Sequence, residues 1–218
     1  MTSPLAVHEE LRRIPRAEVV VSDVSAETLE QALATGLVAV DIETTGLDPR
    51  RDEVGTCQIF IQPNVVKIVR PGSSAPCLQA ILEHPRILKI FHHAPFDTSF
   101  LLSRLGIRVN NIACTKIASK ILDPMAIDHS LKTLLRRHLG IVVEKNPGVR
   151  TSDWSAAGLS DMQIKYAAED VVFLPALMES LSVKLDQAGR RELAEASFRF
   201  VPKHVELKLL GLDNVFEY

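Results

Sequence analysis

The sequence lacks an excess of basic residues, which limits the kind of nucleic-acid contact to expect from it. It carries 25 lysines and arginines against 27 aspartates and glutamates in 218 residues, so its formal net charge is −2. A protein that tracks along long nucleic acid usually has a strongly basic surface, because phosphate contacts need positive partners. The overall charge therefore argues against that class, while a local basic patch stays compatible with it.

Clustered cysteines and long apolar runs are also missing. The three cysteines, Cys57, Cys77 and Cys114, form no CxxC pair and no metal-type spacing, which is typical of reduced cysteines in a cytosolic protein. The start of the chain, MTSPLAVHEELRRIPRAE, has acids and arginines where a signal peptide would have an apolar run. No segment reaches the ~18 uninterrupted apolar residues of a membrane span. These features predict a cytoplasmic protein without a membrane partner.

The periodic segments predict a single α/β domain. Apolar runs bounded by turn residues predict strands at 19–22, 37–43, 57–61, 65–69 and 87–91, with a further short strand inside IACTKIASKIL. Helical spacing predicts helices at about 26–34, 95–105 and 187–200, and a long helix from Ser160. Strands that come first as a meander and then alternate with helices favour a mixed sheet covered by helices.

The stretch VAVDIETTGLDP, residues 38–49, places two carboxylates at the end of an apolar strand. Asp41 and Glu43 are two residues apart, so in a strand their side chains point to the same face. Two carboxylates on one face repel each other unless a positive charge lies between them, and oxygen ligands favour Mg²⁺ or Mn²⁺ over zinc. The pair alone is equally compatible with a strand that ends at Val40 and leaves both acids solvated.

Two further segments carry acids that fit the same chemistry. Asp97 lies near the start of a helix that follows a strand, a place where the helix dipole alone favours an acid. Tyr166 and Asp170 are spaced i, i+4, so they share one face of a helix within a partly apolar stripe. A simple contact between this tyrosine and this aspartate at the helix surface explains the spacing equally well. Each segment, taken alone, leaves a structural alternative open.

The segments DIETTGL, HHAPFD and YAAED, in this order and at these separations, resemble the three motifs of the DEDD superfamily of 3′→5′ exonucleases. The tyrosine four residues before the last aspartate marks the branch that contains RNase D and some polymerase proofreading domains. RTSDW and HSLKTLLRRHLG are similar to RNase D segments. CTKIASKIL, the Asp-Trp loop and the tail FRFVP…LLGLDNVF resemble the nanoRNase C family, small bacterial enzymes that degrade RNA dinucleotides.

This resemblance implies an RNase H-like (DnaQ-like) fold with a five-stranded mixed sheet flanked by helices. It implies one exonuclease domain over 1–218, with a catalytic core at about 19–185 and a C-terminal helix and apolar tail at about 187–218. The tail would contact other copies in a homo-oligomer, because nanoRNase C forms ring-shaped octamers. Two divalent ions, Mg²⁺ or Mn²⁺, are the implied cofactors. The catalytic residues that match the motifs are Asp41, Glu43, Asp97, Tyr166 and Asp170, and the four acids among them are the implied metal ligands.

The resemblance and the residue types also indicate contacts with a substrate. Leu47 matches a leucine that wedges between the last two bases in the similar motif of oligoribonuclease. Thr44 begins the segment, residues 44–47, on which the last nucleotide is expected to lie. His92 is expected near the scissile phosphate. For four other residues, the sequence is compatible with either a structural role or a role in binding. Phe96 and Trp154 either stack on bases or lie in the core, and Lys145 and Arg150 either meet a 5′ phosphate or are ordinary surface charges.

The leading hypothesis is a metal-dependent 3′→5′ exoribonuclease that hydrolyses dinucleotides and very short RNAs to nucleoside 5′-monophosphates. The alternative is a broader exonuclease that also trims longer RNA or DNA. A catalytically silent nucleic-acid-binding module is a remote third, because all four acids and Tyr166 are present. The loop EKNPGVRTSDW is longer than the resemblance predicts, which leaves the preferred substrate length open.

Overall fold

The computed structural model describes residues 14–144, 147–212 and 215–216. Within these ranges six strands form one sheet: β1 (Ala17–Ser22), β2 (Leu37–Thr44), β3 (Val54–Ile61), β4 (Val65–Pro71), β5 (Leu88–Phe91) and β6 (Ile112–Cys114). The strand order is β1-β4-β3-β2-β5-β6. Strands β2, β3 and β4 pair antiparallel, whereas β1, β5 and β6 join in parallel. The mixed α/β architecture is confirmed. The sheet has six strands rather than the five that the resemblance implies, because the short strand predicted inside IACTKIASKIL forms as β6 and pairs with β5.

Helices cover the sheet. Those in the described ranges are α1 (Ala26–Thr35), α2 (Pro76–Glu83), α3 (Ala94–Leu105), α4 (Thr115–Leu122), α5 (Leu131–Leu139), α6 (Pro147–Arg150), α7 (Asp161–Val172), α8 (Leu174–Gln187) and α9 (Arg191–Leu209). None of the helices in this part of the chain has the length and apolar content to cross a bilayer.

Local sequence rules set several helix ends. The Ser25 hydroxyl accepts a hydrogen bond from the backbone N–H of Thr28 and so caps α1, and Gly140 closes α5 at φ +67°. The long helix predicted from Ser160 is in fact two, because the chain turns at Phe173 between α7 and α8. Helix α9 continues to Leu209, so residues 201–209, predicted as tail, are helical instead.

The central strand β2 anchors the core and delivers its last residues to one edge of the sheet. Val38, Ala39 and Val40 have no exposed surface and belong to the main hydrophobic cluster between sheet and helices. Beyond them, β2 keeps pairing with β3 until its register shifts between Glu43 and Thr44. Such an irregularity ends regular pairing and bends the strand, so the chain leaves the sheet there as a loop over 44–53.

Candidate active site

Three carboxylates meet at the end of β2. Asp41 and Glu43 extend from this strand, and Asp170 extends from α7, which packs across it. One carboxylate oxygen from each side chain lies within 4.8 Å of those of the other two. Asp41 and Glu43 are half-buried and Asp170 is buried. The alternative in which the strand ends at Val40 is wrong, because β2 continues to Thr44 and places both acids on one face.

Asp97 lies beside this group, outside the 4.8 Å set. It is in the first turn of α3 and is only 3% exposed, and its Oδ2 atom has no hydrogen-bond partner in the described part of the chain. Burial raises the pKa of this carboxyl to about 8; the backbone N–H groups of Asp97 and Ile42 oppose the rise, and the Asp170 carboxylate adds to it. A bound cation would remove the cost of ionising such a group.

The cluster fits a divalent metal ion. It offers four carboxyl groups at one sheet edge, and hard cations such as Mg²⁺ prefer oxygen ligands. Burial raises the pKa of the nearby Cys57 thiol well above the ordinary value, and Asp41 and Asp97 raise it further. Among the described residues, the group of side chains that could hold a metal ion consists of carboxylates and does not include this thiol. The chemistry of this donor set is therefore that of an oxygen-ligated metal site.

Tyr166 lies one helical turn before Asp170 and faces the same acids. Burial raises the pKa of its phenol, and the Asp170, Glu43 and Asp41 carboxylates raise it further. A phenol with a raised pKa is protonated at neutral pH, so it can donate a hydrogen bond and is a poor general base.

Trp154 is an interior residue. It is 1% exposed, belongs to a small hydrophobic cluster with Tyr166 and Ile68, and places its ring centroid 6.2 Å from that of Tyr166. The ring is therefore not open to a nucleobase, which corrects the interpretation of Trp154 as a stacking platform. A side chain at Gly55 would bring its Cβ within 2.7 Å of the Trp154 carbonyl oxygen, so glycine at this position lets the 153–155 segment lie against β3.

We expect Gly55→Ala to displace Trp154 and, through it, Tyr166. Overpacking of this kind costs about 1–3 kcal/mol of stability, and a shifted Tyr166 should lower turnover by roughly tenfold. Trp154 is the chain's one tryptophan, so its fluorescence spectrum reports the displacement directly. Gly158→Ala is the matched control, since a Cβ there meets nothing within 4 Å. An unchanged emission spectrum in Gly55→Ala would contradict the tight contact.

The residues around the start of α3 are held by specific contacts. His92 is half-buried, with its Nδ1 atom 2.8 Å from the Thr115 hydroxyl, which fixes the orientation of its ring. Phe96 is half-buried against the main core, with its ring centroid 5.0 Å from that of Phe100 and 6.1 Å from that of His93, parallel to it. These contacts make Phe96 a residue of the core's edge rather than a free platform for a base.

Leu47 lies near the tip of the 44–53 loop and is 83% exposed. The alternative of a leucine packed inward is therefore wrong. Thr44 sits at the base of this loop, where its hydroxyl donates to the carbonyl oxygen of Gly46 at 2.6 Å and so shapes the turn. Leu47 is thus an exposed apolar side chain four residues after Glu43 along the chain.

Of the two basic residues considered as contacts for a 5′ phosphate, the structure describes only Arg150. Arg150 is exposed at the end of α6, and its guanidinium lowers the pKa of Tyr166, which places the charge near the site. Lys145 lies outside the described residues.

Lys116 is a basic residue of the site that sequence reasoning missed. It is half-buried in the first turn of α4, its ammonium lowers the pKa of Asp97, and its backbone N–H donates to the His92 carbonyl oxygen at 3.2 Å. The order of the strands could have indicated this position. Helix α4 follows β6, and the carboxyl end of β6 lies at the same edge of the sheet as those of β5 and β2.

The lysines of this region also affect His93. Partial burial together with Lys116, Lys120 and Lys208 lowers the pKa of His93 to about 4.

Comparisons with known proteins agree with this geometry. A family model described as 3′–5′ exonuclease matches residues 18–186. Ribonuclease D of Gluconacetobacter diazotrophicus is 31% identical over 129 residues, which are 58% of this chain and 31% of that protein. Exosome complex component 10 of Mus musculus is 29% identical over 175 residues, which are 78% of this chain and 19% of that protein. This chain thus spans about a third or less of the length of these curated relatives.

Among solved structures, Brucella melitensis NrnC is 33% identical with a TM-score of 0.86, covering 93% of this chain and 98% of that one. The same protein bound to pGG matches at 32% identity and a TM-score of 0.86, covering 94% and 99% of the two chains. With bound Mg²⁺ it matches at 32% identity and 0.85, covering 93% and 98%. These matches confirm the resemblance drawn from the three motifs.

Proposed function

The chain belongs to the 3′–5′ exonuclease family, and from this premise we propose that it hydrolyses RNA dinucleotides and very short RNAs to nucleoside 5′-monophosphates. The observation that carries the proposal is the cluster of Asp41, Glu43 and Asp170, which is followed along the chain by a loop with the exposed Leu47. The preference for dinucleotides is supported by the likeness, over nearly the whole of both chains, to a nuclease solved with pGG bound.

We propose that the four acids Asp41, Glu43, Asp97 and Asp170 hold two divalent ions, Mg²⁺ or Mn²⁺. Such ions supply Lewis-acid polarisation of a phosphate and lower the pKa of a bound water. The chain's own contribution is rigidity, because the ligands come from a central strand and from two helices packed on the sheet. Oxygen ligands fixed in this way lose little freedom when a metal and a phosphate bind.

The other side chains have distinct roles in this proposal. The protonated phenol of Tyr166 orients the attacking water by donating a hydrogen bond, and the Trp154 ring keeps the phenol in place. Leu47 contacts the bases at the 3′ end, and His92, oriented by Thr115, lies near the scissile phosphate. Arg150 brings a positive charge to the phosphate side of the substrate. These contacts involve only the attacking water and the last nucleotides of the substrate, so none of them requires a long nucleic acid.

A length series tests the substrate. We expect 5′-labelled two-nucleotide RNA to be cleaved with a kcat/KM at least tenfold above that of five- and twenty-nucleotide RNA, a difference of about 1.4 kcal/mol in transition-state binding. DNA of the same lengths and reactions with EDTA are the controls. Comparable rates at every length would reject the dinucleotide preference and favour the broader exonuclease, whose active site is the same.

We further propose that the end of the chain contacts a second copy. Leu210, Leu212 and Phe216 are 77%, 49% and 82% exposed, and the Phe216 ring lies 6.3 Å from that of Phe200 on α9, so the apolar surface is continuous. Not every apolar residue of this region needs a partner subunit. Val205 is buried in its own core and Leu209 packs against that core.

Removing residues 210–218 is therefore expected to increase the elution volume in size-exclusion chromatography, because it deletes apolar surface while keeping every residue of α9 itself. Val21→Ser, which changes an exposed apolar residue on β1, is the control and should elute like the full chain. An unchanged elution volume after truncation would rule out this segment as the contact.

A further inference from the structure

Arg50 joins the loop that carries Leu47 to the last helix. Its Nη2 atom donates hydrogen bonds to the carbonyl oxygens of Lys208 at 3.1 Å and Leu209 at 3.3 Å, the last two residues of α9. The Lys208 carbonyl oxygen also accepts from the backbone N–H of Gly211 at 2.9 Å. A carbonyl oxygen can accept two hydrogen bonds, and those in the last turn of a helix carry the negative end of its dipole. A guanidinium suits this position, because it offers several donors and a permanent positive charge.

The same loop is fastened to α3 on its other side. The Ser103 hydroxyl donates to the Pro49 carbonyl oxygen at 2.7 Å, and Arg104 forms an ion pair with Glu53. Inside the loop, the backbone N–H of Thr45 bonds to the Glu53 carbonyl oxygen at 3.0 Å. Contacts at its base and with α3 thus fix the loop on one side. The hydrogen bonds of Arg50 fix it to α9 on the other side.

We propose that Arg50 is a positioning residue for the substrate, because its hydrogen bonds to the end of α9 fix the loop and so the place of Leu47 relative to the carboxylates. The inference rests on the proposed function, in which Leu47 contacts the bases. An 83% exposed leucine has few contacts of its own to hold it. We call these two hydrogen bonds from Arg50 the clamp. Without the clamp, the substrate must order the loop when it binds, and the free-energy cost of that ordering weakens binding.

The effect should fall on binding rather than on the chemical step. The side-chain hydrogen bonds of Arg50 within the described residues run to α9 and not to the metal-binding acids. Arg51, the next residue, provides a matched control of the same charge. Its side chain is 82% exposed and its ion pair with Asp48, at 2.8 Å, stays within the loop.

Steady-state kinetics on pGG test the proposal with four proteins, the wild type, Arg50→Ala, Arg50→Lys and Arg51→Ala. We expect Arg50→Ala to raise KM about tenfold with kcat within about twofold of the wild type. Arg50→Lys should recover part of the loss, because an ammonium still reaches one carbonyl, and Arg51→Ala should match the wild type. The p-nitrophenyl ester of thymidine 5′-monophosphate has a single base, so its KM should be the same for all four. Equal KM values for Arg50→Ala and Arg51→Ala, or a loss of kcat on both substrates, would overturn the proposal.

Hydrogen–deuterium exchange separates this inference from the proposed function, because it needs no substrate. Arg50→Ala should speed the exchange of amides in residues 45–52, several of which are hydrogen-bonded within the loop, and Arg51→Ala should not. If the wild type fails to cleave dinucleotides, the proposed function is wrong, while faster exchange confined to Arg50→Ala still supports the clamp. Exchange that is unchanged in Arg50→Ala would overturn the clamp whatever the substrate is.

Discussion

Replacing Asp41 with asparagine is expected to lower the turnover of short RNA by roughly a thousandfold or more. The Asp41 carboxylate lies within 4.8 Å of oxygens from Glu43 and Asp170, and asparagine keeps its shape while removing its charge. A metal site that loses an anionic ligand binds its ion more weakly and places it less well. The backbone pairing of Asp41 with Gln58 does not depend on the side chain, so the fold should be retained. Turnover is measured on labelled dinucleotide with saturating Mg²⁺.

The same substitution has a second expected result that a general loss of structure would not produce. In EDTA, Asp41→Asn should be more stable than the wild type by about 1 kcal/mol, because one of three mutually repelling carboxylates is gone. Added Mg²⁺ should raise the melting temperature of the wild type and have little effect on the variant, since a ligand stabilises only a state that binds it. Glu30→Gln, on the exposed face of α1, controls for the loss of an acid. A variant that stays active in EDTA would contradict the metal role.

Local periodicity in the sequence was sufficient to predict that the two acids of β2 share a face. The packing of α7 against this strand completes the cluster of carboxylates. Strand alternation puts Asp41 and Glu43 on one face, and the helical repeat puts Tyr166 and Asp170 on one face. Neither rule says that the two faces meet. They meet because α7 packs across β2, and only the ordered set of three motifs indicated that contact before the structure did.

The residues that sequence reasoning left open or missed depend on contacts between distant segments. The sequence left Trp154 open between stacking on a base and lying in the core, and the missing side chain at Gly55 gives it the interior position. Lys116 looks like an ordinary helix-surface charge until β5 and β6 pair and bring its helix to Asp97. The break between α7 and α8 did have a local signal, since Pro175 belongs in a first helical turn and disfavours helix before it.

Replacing Tyr166 with phenylalanine is expected to lower kcat by roughly a hundredfold with little change in KM, because only the hydrogen bond to the attacking water is lost. The ring of phenylalanine preserves the contact with Trp154, so the surrounding cluster should stay packed. The dependence of activity on Mg²⁺ concentration should also be preserved, since the four acids are untouched. That second readout separates loss of the phenol from loss of the metal site.

The pH profile decides what the phenol does. Burial and then the three acids raise the pKa of Tyr166 above its ordinary value of 10.0, so the phenol stays protonated throughout an assay from about pH 6 to about pH 9. A group that does not titrate in this range contributes no limb to the profile. Tyr166→Phe should therefore lower the curve of kcat against pH by a constant factor without changing its shape. A profile that loses its alkaline rise in the variant would show that the tyrosine ionises and acts as the base, and a kcat equal to that of the wild type would show that it has no part in the reaction.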